Sequence, residues 1–308
     1  MGYSLLHKRP HFINFVCMLT NDDNNHKATT LYVSDLDGTL LNSDTLLSDT
    51  TVKLLNKAIA HGAMFTVATA RTPATVTTLM SRVAVKLPMI VLAGAAMWHD
   101  AERTYSDVQT IGGDTVNEIA DVFERHGLHP LIYRRHGGML HVRHCGQLSP
   151  QEQQFVAERT GLELKRFYLD DSEQQYRDEA DGEAVLLFSM QKLDRLEPVY
   201  NEIKSNPKCS VMFYPDIFDP TSGFIEIYRA GCTKAQAISR LARQLGAERT
   251  VVFGDNGNDL AMMRAATHSV AVANAIPAIK EAASEITGTN NADSVARWIC
   301  ADMGLDTD

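Results

Sequence analysis

The 308-residue chain has few cysteines, few aromatics and no long apolar run. Its five cysteines (Cys17, Cys145, Cys209, Cys232, Cys300) are scattered and odd in number, with no C-x-x-C pair. That excludes a disulfide framework and a paired-cysteine zinc knuckle, and it suits a reducing compartment. No uninterrupted apolar stretch approaches the roughly 18–20 residues that span a bilayer, so the chain is expected in the cytoplasm with no membrane partner. Basic residues are outnumbered, 29 Lys and Arg against 38 Asp and Glu, for a net charge of -9 and a pI near 5.6. Nucleic acid and anionic membrane surfaces reward basic patches and are thereby set aside as main partners. Small molecules and metal ions remain.

The N-terminus has a basic start, HKRPH, before the apolar FINFVCML. That block is short and leads into TNDDNNHK instead of a small-residue cleavage site. Residues 1–28 are therefore expected to form a loosely ordered extension. From Leu31 a pattern sets in. The runs LYVSD, MFTVAT, MIVLAG, TVVFGD and SVAVA are short, β-rich and apolar on both faces, as strands of a helix-covered parallel sheet are. Between them lie helical patterns such as SDTTVKLLNKAIAHG, with Ser48 to cap it, and TKAQAISRLARQLG, ended by Gly246. The fold class is α/β, a doubly wound Rossmann-like parallel sheet. The middle third differs: strands such as LHPLIYRR, MLHVRH and EAVLLFSMQ mix with helices, which reads as an inserted α+β cap over residues 111–221, with the core at 29–110 and 222–308.

Ligands of open α/β sheets bind beyond the carboxyl ends of the strands, and four stretches lie there: DLDGT, TAR, the TK heading a helix, and GDNGND. Asp35 can present its carboxylate as a nucleophile, and Asp37, two residues on, can move a proton. Two close carboxylates demand a cation. Mg²⁺ suits hard oxygens and is assigned to Asp35 and Asp255, the latter also able to cap the helix that follows. Thr69 and the Ala70 backbone N–H suit phosphate oxygens, and Lys234 adds a point charge. Asn258 can donate to phosphate, and Asp259 can orient Lys234 or a metal-bound water. Arg71 reads as a surface residue of a first helical turn. The basic run Arg134–Cys145 tempts toward zinc or RNA. His141 and His144 fall on opposite faces of a strand, however, and the chain is acidic, so a cationic patch toward the substrate's leaving group is preferred.

These stretches, in this order, resemble the haloacid dehalogenase superfamily and within it the Cof-like sugar-phosphate phosphatases, over residues 31–303. The resemblance implies a Mg²⁺-dependent phosphatase of small phosphorylated metabolites acting through an aspartyl-phosphate. Asp35 would be its nucleophile and Asp37 its acid/base, with Mg²⁺ held by Asp35, Asp255 and the backbone carbonyl of Asp37. A dehalogenase lacks the second aspartate. The short interval from Asp37 to Thr69 is filled by a hairpin and a helix, so the cap belongs in the long interval from Thr69 to Lys234, as in the Cof-like group. Departures from that group's pattern are Ala70, Ala95-Ala96, Ala235 and Val272, none of which removes a catalytic group. A phosphomutase or a catalytically weak binding module is the alternative, and the chain is expected as a monomer or homodimer.

Overall fold

The computed structural model describes residues 28–216 and 219–307; the expected extension, residues 1–28, lies outside them except for Ala28. In chain order the strands are β1 (Thr30–Ser34), β2 (Met64–Val67), β3 (Met89–Val91), β4 (Ala96–His99), β5 (Thr104–Ser106), β6 (Leu131–His136), β7 (Met139–Arg143), β8 (Lys165–Tyr168), β9 (Glu183–Lys192), β10 (Cys209–Pro215), β11 (Ser222–Arg229), β12 (Arg249–Gly254), β13 (His268–Ala271) and β14 (Glu285–Ile286). One sheet runs β14-β13-β12-β1-β2, all parallel. A parallel bridge from Ala68 to Ile90 sets β3 beside β2, and β3 continues into the antiparallel hairpin β4–β5. From β1 the chain steps one way to β2 and the other way to β12. Right-handed crossovers then place the connecting helices on opposite faces, and the strand order reverses at β1. Leu31, Tyr32 and Val33 are at most 3% exposed, because helices cover both faces there. Ser48 accepts from Thr51 N (2.9 Å) to start the helix Asp49–Ala60, and Gly246, in the left-handed region, ends the helix Lys234–Leu245.

The inserted unit is a six-stranded sheet, β10-β11-β9-β6-β7-β8, antiparallel except for β7–β8. Helices Gly113–Arg125 and Leu193–Ile203 cover one face, packing Val116, Phe123, Leu196 and Val199 on Ile132 and Ile225. Tyr133, Phe188 and Tyr228 belong instead to a cluster that runs on into the core. The sequence reading closes the insertion at residue 221, but β11 pairs along its length with β10 and β9, so the inserted sheet extends to Arg229. Alternation is the reason: Ile225 and Ile227 reach the helix-covered face, and Phe224 packs toward the other cluster. The hairpin expected between Asp37 and the first helix is a tight loop, with Asn42 N donating to Leu46 O (3.0 Å). Among the described residues no helix is long and apolar enough to cross a membrane.

Lys165 on β8 is 7% exposed, its Nζ 5.2 Å from the Tyr133 ring centroid and 5.8 Å from that of Phe167. Burial, helped by the Arg159 charge, lowers its pKa from 10.5 to about 7. In the unfolded chain the ammonium keeps its proton to about pH 10, so between about pH 7 and 10 the unfolded state binds more protons and stability rises with pH. Lys165→Met is expected to flatten that rise. It should also stabilise the protein near pH 7 by about 1 kcal/mol or more, since one pKa unit corresponds to roughly 1.4 kcal/mol. Urea unfolding of both proteins at the two ends of the window checks this; parallel pH profiles would contradict it.

Candidate active site

Asp35 leaves the sheet at the carboxyl end of β1, its N–H donating to Phe253 O of β12 (3.0 Å). The chain then makes a wide turn over Leu36–Leu40, closed by Leu41 N donating to Leu36 O (2.8 Å). Gly38 sits in this turn at φ +77°, and a Cβ on it would stand 2.5 Å from Asp255 Oδ2. Only glycine lets the Asp255 carboxylate come up against the turn. Thr39 Oγ1 donates to Asp255 Oδ1 (2.8 Å), tying the β1 end to that of β12, and Asn274 Nδ2, beyond β13, donates to Gly38 O (2.7 Å).

Lys234 opens its helix just after Thr233, whose hydroxyl accepts from Gln236 N (3.2 Å). The ammonium donates to Asp35 Oδ1 (2.6 Å) and to Asp259 Oδ1 (2.8 Å). Exposure is 2% for Lys234, 5% for Asp35 and 0% for Asp259, so these ion pairs are dry. The other oxygen of Asp259 accepts from Asp255 N (3.0 Å) and Asn256 N (3.2 Å), holding the GDNGND loop in shape. The cap of that loop's first turn is Asn256, which accepts from Gly257 N (2.7 Å), and not Asp255.

Carboxylate oxygens of Asp35, Asp255 and Asp259 all lie within 4.8 Å of one another, against a single ammonium. Burial raises the Asp35 pKa; Lys234 opposes the rise while Asp259 and Asp255 add to it, and it reaches about 8. Burial likewise pushes Asp255 up to about 6, against the Thr39 hydrogen bond and with Asp259 adding to the rise. For Lys234, burial works to lower the pKa, but the charges of Asp259 and Asp35 outweigh it and the ammonium is held above its ordinary value. The cluster therefore carries more negative charge than its one lysine offsets. These oxygens are hard donors and fit a small divalent cation. Both oxygens of Asp259 are already bonded, which leaves Asp35 and Asp255, each with an oxygen turned from its hydrogen-bond partner, to hold one.

Thr69 is 1% exposed. Its carbonyl accepts from Ala93 N (2.9 Å) and its N–H donates to Ile90 O (2.9 Å), while Leu92 N donates to Arg71 O (3.0 Å). Leu92 and Ala93 both have φ of 53°, so a strained turn after β3 grips the second motif. Thr69 Oγ1 accepts from Arg71 N (3.1 Å), and Ala70 lies partly exposed between them. Arg71 grips Asp37 in a bidentate pair, Nε to Oδ2 at 2.7 Å and Nη2 to Oδ1 at 2.5 Å. The surface reading of Arg71 is thus corrected: its backbone is fixed at the sheet edge, which aims the side chain across at the DLDGT turn. Asn258 is exposed, and among the described residues no hydrogen bond joins it to the acids or Lys234.

The basic run of the insertion is not an open patch. Arg134 is 1% exposed and donates to Gly182 O (3.3 Å) and Arg177 O (3.2 Å). Arg135 pairs with Glu183, and Arg143 with Asp171 at 2.9 Å.

A family model described as haloacid dehalogenase-like hydrolase matches residues 32–299. The 5-amino-6-(5-phospho-D-ribitylamino)uracil phosphatase YitU of Bacillus subtilis is 25% identical over 272 residues, covering 87% of this chain and 96% of the relative. The pyridoxal phosphate phosphatase YbhA of Escherichia coli is 23% identical over 285 residues, covering 88% and 97%. Among solved structures, a haloacid dehalogenase-like hydrolase from Bacteroides thetaiotaomicron superposes with a TM-score of 0.71 at 22% identity, over 90% of this chain and 100% of that one. The subclass IIB sugar phosphatase BT4131 superposes with a TM-score of 0.69 at 21% identity, with the same coverage of 90% and 100%.

Proposed function

The chain belongs to the haloacid dehalogenase-like hydrolases, and from that membership we propose a Mg²⁺-dependent phosphatase of small phosphomonoesters that works through a phosphorylated Asp35. The observation that carries the proposal is the group of buried Asp35, Lys234 and Asp259 with half-buried Asp255, three acids around one ammonium at the carboxyl ends of β1 and β12. Relatives named as phosphatases of 5-amino-6-(5-phospho-D-ribitylamino)uracil and of pyridoxal phosphate support the same reaction class.

An Asp35 oxygen attacks phosphorus as the bond to the leaving oxygen breaks, and Asp37, turned from its pair with Arg71 so that it can carry a proton, gives that proton to the leaving oxygen. Water then attacks the phospho-aspartate, Asp37 takes its proton, and phosphate leaves with the Asp35 carboxylate restored. Lys234 steadies the nucleophile's charge, and Thr69 with the Ala70 N–H would hold phosphate oxygens. Asn258, exposed beside the loop, would donate to phosphate. A bound Mg²⁺, held by Asp35, Asp255 and the Asp37 carbonyl, would neutralise charge on the transferring oxygens. Asp259 would act by positioning Lys234 and the loop.

The inserted sheet would select the substrate. Its core-facing side carries Tyr133, Phe188 and Phe224, with the buried acid Glu226, which accepts from Tyr228 OH (3.3 Å). Burial pushes Glu226 up to about 7 against Tyr214, Tyr228 and the Lys234 charge, which lies within electrostatic reach. An apolar wall with one acid suits a leaving group that is part apolar and bears a hydroxyl or amine.

Arg71→Ala is expected to lower kcat by about tenfold to a hundredfold, part of the roughly 10²–10⁴ that a placed acid/base contributes, and to shift the pH–rate profile. Steady-state kinetics across pH would show it; an unaltered profile would mean that the Arg71 pair does not serve Asp37. The function itself is tested by a panel of sugar phosphates, nucleotides and pyridoxal phosphate with and without Mg²⁺. Free phosphate accumulating only with the metal supports it. An isomerised sugar phosphate points to a mutase, and a flat background on every substrate contradicts catalysis.

A further inference from the structure

We propose that the inserted unit carries a second metal site, for Zn²⁺ or a similar borderline-soft cation, built from His129, Cys145 and Glu173. Three segments bring them together: His129 precedes β6, Cys145 follows β7, and Glu173 opens the helix Glu173–Arg177. Cys145 Sγ stands 3.4 Å from His129 Nδ1 and 3.2 Å from Glu173 Oε2, and the three donor atoms all lie within 4.8 Å of one another. With zinc–sulfur bonds of about 2.3 Å and zinc–nitrogen or zinc–oxygen bonds of about 2.0–2.1 Å, tetrahedral angles put neighbouring donors roughly 3.3–3.6 Å apart. The two spacings to sulfur, 3.4 and 3.2 Å, are close to that, and the nitrogen and oxygen lie within 4.8 Å of each other. A sulfur, nitrogen and oxygen set suits zinc, whereas the all-oxygen cluster at Asp35 suits Mg²⁺, so the two sites sort ions by donor chemistry.

The surroundings hold each donor in place. Glu173 Oε1 accepts from Arg177 Nε, and Arg177 also donates to Asp121 Oδ1 (2.7 Å), which turns the other oxygen of Glu173 to the sulfur. His144 Nε2 hydrogen-bonds to His129 O (3.2 Å), bracing the backbone that carries the imidazole. A Cβ on Gly146 would lie 2.9 Å from His129 Cδ2, so the glycine after Cys145 leaves the space that the ring fills. Cys145 is 4% exposed and Glu173 lies at the surface, so water can complete the fourth position from that side. The sequence reading sets zinc aside for the run Arg134–Cys145 because His141 and His144 fall on opposite faces; Cys145 belongs to that run, but the partners it meets here, His129 and Glu173, lie outside it. As the sulfur–metal bond forms, Cys145 releases its thiol proton to solvent, so affinity falls as pH falls.

Co²⁺ titrated into the reduced full-length protein, with Mg²⁺ in excess, is the direct probe, because a thiolate ligand gives a near-ultraviolet charge-transfer band that an oxygen-only site lacks. The expected result is a band that saturates at one Co²⁺ per chain, is displaced by Zn²⁺ and is absent in Cys145→Ser. His129→Ala and Glu173→Gln should weaken binding by about tenfold or more. No band with the wild-type protein, or a band that survives Cys145→Ser, overturns the proposal. A second measurement needs no variant: Zn²⁺ should slow alkylation of Cys145 and leave Cys209 unaffected, as read by peptide mapping. Equal rates at Cys145 with and without Zn²⁺ also overturn it.

Discussion

Asp35→Asn is expected to lower turnover by about 10⁴-fold or more, the scale on which losing a covalent nucleophile acts. The amide keeps the shape of the side chain but cannot attack phosphorus at a useful rate. The protein should remain folded. Asparagine removes one of three crowded carboxylates, whose burial raises Asp35 to about 8, and Lys234 keeps Asp259 at 2.8 Å as its partner. The unfolding midpoint is therefore expected to stay unchanged or rise. Phosphate release with Mg²⁺, together with urea unfolding, separates the two effects. Turnover retained at more than a few per cent in a folded variant would show that another group is the nucleophile.

Lys234→Met should show a different pattern, losing activity and stability together. With the ammonium gone, Asp35 and Asp259 face each other in a site where they are 5% and 0% exposed, with Asp255 beside them. Removing one partner of a buried ion pair leaves an uncompensated charge and costs about 3–5 kcal/mol. Lys234→Arg should not rescue the variant, because a planar guanidinium is too broad for the pocket of an ammonium that is 2% exposed. Urea unfolding at neutral pH is the measurement. A variant as stable as the wild type would mean that the acids are not held by Lys234.

The core was readable in the sequence because its strands are buried on both faces. LYVS and TVVFG appear as unbroken apolar runs, and the acids that end them must stand at the sheet's carboxyl edge. The sequence reading gives Asp259 the orienting of Lys234 or of a metal-bound water, since four positions after Asp255 is about one helical turn, and its carboxylate accepts from the Lys234 ammonium at 2.8 Å. Other features give no local signal. β8 lies at a sheet edge in a charged stretch, and the helix Glu173–Arg177 is too short to show a period. The Arg71–Asp37 pair depends on a strained turn at Leu92 and Ala93 that neither motif encodes. The meeting of His129, Cys145 and Glu173 is set by the pairing of β6 with β7 and by the helix that follows β8, far apart in the chain.

In the proposed reaction Asp35 itself carries the phosphoryl group. Acid quench of the Mg²⁺-loaded protein during turnover, followed by reduction with tritiated borohydride and peptide mapping, reads where that group is attached. Modification confined to the peptide bearing residue 35, and missing when Mg²⁺ is chelated, is the predicted result. Label on any other peptide, or turnover with no trapped acyl phosphate under conditions that preserve one, would contradict it.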